Sequence, residues 1–132
     1  ILPYLLLPDY FRRLAAVDIA LDTAPYSGGT TTCDALWMGV PVITLPGSRP
    51  SSRSSASILT TAGLADWIAS TPGDYVRLAA EFSGNKPRLA AIRRSLRERL
   101  QQSPLMDEER FVRDLEALYR GMWRRWCESD RR

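Results

Sequence analysis

The residues with the most chemical potential lie in one run, Asp22-Thr-Ala-Pro-Tyr-Ser-Gly-Gly-Thr-Thr-Thr-Cys-Asp34. It contains one proline, the adjacent glycines Gly28 and Gly29, and the threonines Thr30, Thr31 and Thr32. A loop that turns on glycines and enters a helix offers free backbone N–H groups and the positive end of the helix dipole, and both favour an anion. The threonine hydroxyls add donors. A phosphate or diphosphate suits such a loop. A tight strand-to-helix turn whose threonines only cap the helix accounts for the same residues.

Two common phosphate loops are excluded. A Walker loop needs Gly-Lys-Ser/Thr at the helix entry, and the first lysine of this chain is Lys86. The dinucleotide fingerprint needs spaced glycines, and here they are adjacent. The absence of His from 132 residues removes the commonest general base near neutral pH and the commonest metal ligand. A Ser-His-Asp triad, a Cys-His dyad and a His-bearing zinc site therefore cannot be built from this chain alone. Cys33 and Cys127 form no CxxC motif and no disulfide framework, so two reduced thiols in a cytoplasmic protein are expected. No catalytic residue and no metal ligand is assigned.

The elements that must position this run follow from periodicity. Residues 1–6 read as a strand and residues 8–16 as a helix with Pro8 in its first turn and Phe11, Leu14 and Ala15 facing inward. Residues 17–22 (VDIALD) read as a buried strand, which puts the Gly-Gly loop at its carboxyl end, where open α/β sheets bind ligands. A helix over 30–38 closes at Gly39, and the strand 42–45 is bracketed by Pro41 and Pro46. A serine-rich loop, a helix ending at Gly63 and a short strand over 65–69 come next. From Asp74 the pattern is all helix, over roughly 74–83, 87–102 and 107–126. The predicted fold is α/β, a partial Rossmann-like parallel sheet of about four strands with helices on both faces and a helical C-terminal tail. Residues 1–132 form a single domain in this reading.

Composition agrees with a soluble globule, 45% apolar and 25% charged. The longest apolar opening stops at Pro8, far short of the ~20 residues that cross a bilayer, so no membrane is expected. Residues 1–85 carry five basic and seven acidic side chains, and residues 86–132 carry thirteen and eight. Arg93, Arg94, Arg97 and Arg99 sit beside Leu89, Ile92, Leu96 and Leu100 at helical spacing. They read as a solvated helix face, not a nucleic-acid surface, because no RNA-binding or zinc-finger pattern accompanies them.

The longer string PYSGGTTTCDALWMGVPVITLPG, followed by SRSSAS and by SPLMDEERFVRDLEALYRGMW, resembles the C-terminal part of the O-GlcNAc transferase and SPINDLY-like glycosyltransferase family. The resemblance runs from about Asp9 to Trp126. It implies the nucleotide-sugar-binding C-terminal lobe of a two-lobed GT-B enzyme, present here without its N-terminal lobe and first strands. The implied activity is transfer of a sugar, usually N-acetylglucosamine from UDP-GlcNAc, to protein Ser/Thr hydroxyls, with inversion and without a metal ion or other cofactor. GDP-fucose is the donor in some relatives.

Carried over by residue, the resemblance puts the diphosphate on Thr30 and Thr31 and a ribose-binding carboxylate on Asp34, with Gly28 and Gly29 lining the turn. Gly29 stands where the animal enzymes have a His. Arg13 falls on an arginine near the base, Tyr10 on a base-stacking His and Leu7 on a ribose-binding Lys. Tyr10 can still stack, since stacking needs only a π-face; Leu7 cannot replace an ammonium. Cys33, Trp37 and Met38 read as packing residues, and Arg53 as a partner for a phosphate or a carboxylate. The final helix, 107–126, carries Phe111, Leu115, Leu118, Met122 and Trp126 on one stripe. The resemblance implies that this helix packs on the N-terminal lobe, so an isolated chain is expected to self-associate. The expected activity of the chain alone is nil. A degenerate lobe acting as a protein-association module is the alternative, and a sugar-nucleotide epimerase on the same architecture ranks last.

Overall fold

The computed structural model describes residues 5–129. Its helices are α1 (Leu7–Ala15), α2 (Thr30–Trp37), α3 (Ser54–Thr61), α4 (Pro72–Gly84), α5 (Lys86–Gln101) and α6 (Glu108–Ser129). Two parallel strands, β1 (Ala20–Leu21) and β2 (Val42–Ile43), pair with Ala20 opposite Val42 and Leu21 opposite Ile43. The unit β1–α2–β2 is thus the crossover that the alternation of elements predicts.

The sheet is smaller than four strands among the described residues. Of the expected strand over 1–6, residues 1–4 lie outside the described range, and Leu5 and Leu6 adopt no regular structure before α1 begins. Residues 17–22 yield only a two-residue strand. Val17 and Leu21 are exposed, so this segment is an edge and not the buried strand its apolar run suggested. Residues 65–67 close a 3-10 turn, and the segment joins the sheet through one parallel bridge, Ile68 to Thr44. Pro41 and Pro46 keep the central segment short, because proline brings no N–H to a ladder. Val42 and Ile43 are both buried, which means both faces of β2 are covered, since successive side chains point to opposite sides.

The core is built around Leu36, Val40, Ile43, Leu59 and Leu96, each essentially inaccessible. Trp67 meets Phe82 edge-on at 5.6 Å between ring centroids, tying the turn after α3 to α4. Trp37 and Met38 pack against the core only in part.

Arg94, Arg97 and Arg99 of α5 are exposed, as a solvated face predicts, and Arg93 is half-buried; three of the four also hold backbone carbonyls. Arg93 donates to the carbonyls of Ala15 (2.7 Å) and Asp18 (3.0 Å), and also to that of Val17. Arg97 donates to the Trp37 carbonyl (2.9 Å) while its guanidinium lies over the Trp37 ring, and Arg99 reaches the Gly63 carbonyl (3.4 Å). One helix therefore supplies cations to the carbonyl ends of α1, α2 and α3, where the dipole is negative and the last carbonyls lack partners. Arg94 alone of the four has no such bond among the described contacts.

Gly39 and Gly63 end α2 and α3 in the left-handed region, at φ of 75° and 69°. A Cβ on Gly39 would sit 2.8 Å from the Arg93 carbonyl oxygen, whereas one on Gly63 would meet nothing within 4 Å. Gly63→Ala is expected to cost the ~1–2 kcal/mol of the left-handed conformation, and Gly39→Ala distinctly more because backbone must also move. Urea unfolding of the two variants checks the order.

Candidate functional site

The loop between β1 and α2 is fixed by hydrogen bonds to residues distant in sequence. Asp22, at the end of β1, uses one carboxylate oxygen to accept from the Gly28 N–H (2.7 Å) and the other to accept from the Thr44 hydroxyl (2.6 Å). Its own N–H donates to the Ile43 carbonyl, and its carbonyl accepts from the Tyr75 hydroxyl (2.7 Å). On the other side of the loop, Ser55 donates to the Gly28 carbonyl (2.9 Å) and shares a bond with Thr32 (2.8 Å). Ser27 donates to the Ser51 carbonyl and accepts from the Ser54 N–H, which joins the serine-rich loop to the same framework.

These contacts leave a cleft of about 600 Å³ at the carboxyl end of the parallel strands, within the ~300–1,000 Å³ common for small-molecule sites. Tyr10, Asp22, Gly28, Gly29, Thr30 and Thr31 are among its lining residues. Thr30 and Thr31 are exposed at the start of α2. Gly29 is the cap position of that helix, and no side chain caps it. The threonines therefore do not cap α2, and among the described residues the N–H groups of Thr30 and Thr31 have no protein acceptor, while that of Thr32 donates to the Gly29 carbonyl. Thr71 caps α4, Asn85 caps α5 and Asp107 accepts from the Arg110 N–H at the start of α6, whereas α1 and α3 share with α2 the lack of a cap from their own cap residue, although Ser27 takes the Ser54 N–H of α3.

The other expected site residues divide. Tyr10 lines the cleft, and its hydroxyl donates to Asp34 at 3.3 Å. Burial first, then the Asp34 charge and this hydrogen bond, raises the Tyr10 pKa. Asp34 lies beside the cleft through this contact but not in its lining. Arg13 is exposed in the last turn of α1 and does not reach the cleft. Leu7, also exposed, opens the same helix. Thr32 is buried against Ser55, so its hydroxyl is unavailable to a guest. Arg53 meets neither a phosphate site nor a carboxylate; it donates to the Gly47 carbonyl (3.0 Å). Cys33 is half-buried, and burial followed by the neighbouring Asp34 raises its thiol pKa, the opposite of what a nucleophile needs.

Asp22, Thr44, Ser55 and Tyr75 are the residues that sequence reasoning missed. A carboxylate at a strand end before a Gly-Gly turn is a local signal for Asp22. Nothing local marks its partners, which come from 22 and 53 residues away. Among the described residues Asp22 is also the one charged side chain lining the cleft.

Fold and cleft together define an open parallel α/β protein with a helix end that no side chain caps, beside a cleft at the carboxyl edge of its strands. The model of glycosyl transferase family 41 matches residues 8–115. A probable UDP-N-acetylglucosamine–peptide N-acetylglucosaminyltransferase SPINDLY from Eustoma exaltatum subsp. russellianum is 44% identical over 98% of this chain and 14% of its own length. The probable transferase SEC of Arabidopsis thaliana is 36% identical over 92% of the chain and 12% of its own length. A solved structure of a Thermobaculum terrenum O-GlcNAc transferase mutant superposes with a TM-score of 0.87 at 38% identity, covering 97% of this chain and 25% of that one. The chain belongs to glycosyl transferase family 41, and its fold is that of a GT-B lobe. It spans about one seventh of the length of the first of these relatives.

The glycines differ in the room around them. A Cβ on Gly28 would lie 2.5 Å from the Thr32 hydroxyl and 2.9 Å from that of Thr31, while one on Gly29 would meet nothing within 4 Å. Gly28→Ala is therefore expected to lower the unfolding midpoint and Gly29→Ala to leave it within a few degrees, by calorimetry on both variants.

The tyrosines give a pH prediction. The pKa values of Tyr10 and Tyr75 are raised, in each case by burial first and then by the nearby Asp charge. A raised folded-state pKa contributes stability that is complete below the ordinary tyrosine value near 10 and disappears as pH rises through the folded value. Stability at alkaline pH is thus expected to fall less steeply in the Tyr10→Phe, Tyr75→Phe double variant than in the natural chain, by urea unfolding from pH 8 upward.

Proposed function

We propose that this chain is the donor-binding part of a glycosyltransferase that moves a sugar, N-acetylglucosamine from UDP-GlcNAc, to Ser/Thr hydroxyls of proteins, and that it does not turn over alone. The observation that carries this reading is the uncapped N-terminus of α2, with Thr30 and Thr31 exposed beside it at the cleft. A departing nucleoside diphosphate gains stabilisation from N–H groups and hydroxyls aimed at its oxygens, and such preorganised donors rank among the largest contributions to transfer catalysis. Tyr10 supplies an aromatic face for the base, and Asp34 a carboxylate that accepts from ribose hydroxyls once Tyr10 shares or releases it. Transfer is inverting and needs no metal in this reading, which follows the family resemblance.

Two absences in the cleft support inactivity of the isolated chain. Among the described residues no Lys or Arg lines it to neutralise the departing diphosphate, and its one carboxylate, Asp22, is engaged by Gly28 and Thr44. A cation and a proton acceptor would both come from the N-terminal lobe of the parent enzyme. The stripe on α6 supports the same division. Phe111, Leu118, Met122, Trp123 and Trp126 are all more than half exposed, and the main contact of α6 is with the 3-10 turn Pro104–Met106. So much aromatic surface on one helix suits a partner face, which the parent's other lobe provides and a second copy replaces when the chain is alone.

Titration of UDP, UDP-GlcNAc, GDP and GDP-fucose by calorimetry tests the donor. Saturable binding of the uridine ligands, weakened about tenfold or more by a Thr30→Ala, Thr31→Ala double variant, is expected. Absence of binding by any of the four to the full-length protein favours the association module instead, and preference for the guanosine pair reassigns the sugar. Light scattering on the isolated chain is expected to give dimers or larger species that Phe111→Glu with Trp126→Glu reduces to monomer.

A further inference from the structure

The Gly28 residue is gripped on both of its backbone groups. Its N–H donates to Asp22 and its carbonyl accepts from Ser55. Neither gripping side chain is free to drift. The second carboxylate oxygen of Asp22 is held by Thr44, its carbonyl by Tyr75 and its N–H by Ile43, while Ser55 is fully buried on α3 and bonded to Thr32.

This grip decides where the next N–H points. The Gly28–Gly29 peptide is trans, so its C=O and N–H are directed oppositely. With the carbonyl bonded to Ser55, the Gly29 N–H is directed away from Ser55, and Gly28, Gly29, Thr30 and Thr31 all line the cleft. No protein acceptor takes it among the described residues, and the same is true of the N–H groups of Thr30 and Thr31. Three successive N–H groups without a protein acceptor at the start of a helix offer donors to an anion. A flipped peptide would replace the first of them with a carbonyl oxygen, which repels the same guest. Glycine at both positions makes that flip sterically cheap, so something other than the chain's own stiffness must prevent it.

We propose that Ser55 and Asp22 are positioning residues for donor binding: they lock the Gly28 backbone so that the Gly29 N–H joins those of Thr30 and Thr31 on the donor's diphosphate. The proposal deepens the donor-binding reading and rests on it. Neither side chain touches the donor; each acts through the peptide it holds.

The test uses the full-length protein with UDP, inorganic pyrophosphate and uridine as probes. Ser55→Ala is expected to weaken UDP and pyrophosphate about tenfold, the size of one lost charge-assisted hydrogen bond, and to leave uridine unchanged. Asp22→Asn keeps an oxygen for the Gly28 N–H and an NH2 that can donate to Thr44. It is therefore expected to retain most of the affinity that Asp22→Ala loses. The proposal is overturned if Ser55→Ala keeps its unfolding midpoint and binds UDP like the natural protein, or if it loses uridine as strongly as UDP. Should Ser55→Ala fail to fold, the Asp22 pair decides, and equal UDP affinity of the Asn and Ala variants overturns it. If the natural protein binds neither UDP nor pyrophosphate, the donor-binding reading itself fails, a result distinct from UDP binding that ignores both substitutions.

Discussion

Much of the molecule is organised by the carboxylate of Asp22. It sits where β1 ends and must satisfy two demands at once, terminating the strand and fixing the loop that follows. Its backbone continues the parallel ladder into Ile43 while its two oxygens divide between the Gly28 N–H and the Thr44 hydroxyl. Thr44 in turn carries the bridge to Ile68, and Tyr75 on α4 bonds back to the Asp22 carbonyl. One side chain thus couples all three extended segments to the mouth of the cleft. A carboxylate on short, well-aligned donors forms charge-assisted hydrogen bonds of about twice the strength of neutral ones, which suits a part that must not yield. A sheet of two short strands has little stiffness of its own, so this cross-bracing does what a longer ladder would otherwise do.

A second set of charges braces the opposite ends of the helices. α5 carries the basic excess of the C-terminal half, and three of its arginines end on carbonyls at or just beyond the termini of α1, α2 and α3. Guanidinium suits this because its planar fork holds several carbonyls at once, as Arg93 does with the segment after α1. The arrangement is complementary to the cleft. Carbonyl ends are closed by protein cations, while the N–H end of α2 is left open for a guest.

The sequence made the local parts of this plan legible and left the distant ones hidden. Glycine and proline punctuation placed α2, its stop at Gly39 and the central strand correctly, because those signals act within a few residues. The adjacency of Gly28 and Gly29 before three threonines pointed to this loop, and the cleft lies against it. Periodicity misjudged residues 17–22, whose apolar run was read as buried although Val17 and Leu21 face outward at an edge. Its solvated face on α5 holds for Arg94, Arg97 and Arg99, but the carbonyl partners of Arg93, Arg97 and Arg99 lie 36 to 78 residues away, and composition carries no record of such pairs. Thr32 was counted with its neighbours as a donor to the guest. Only packing against Ser55, 23 residues on, separates its role from theirs.

The charge distribution around the cleft bears on how the proposed catalysis divides between parts of an enzyme. Helix N-termini and hydroxyls act at short range and fix where an oxyanion sits, but the field they supply is equivalent to about half a unit charge. A nucleoside diphosphate that departs carries several times that, and the one charged side chain lining this cleft, Asp22, is negative. Its oxygens are occupied by Gly28 and Thr44, so it orders the loop and does not bind the guest. In the proposed reading the cleft aims a diphosphate, and a cation from another part of the enzyme neutralises it. Such a division ties turnover to closure of two lobes, because orientation and charge compensation would meet only when both are in place. Binding without turnover follows from that proposed division, and the exposed α6 stripe is the surface the same proposal gives to a second lobe.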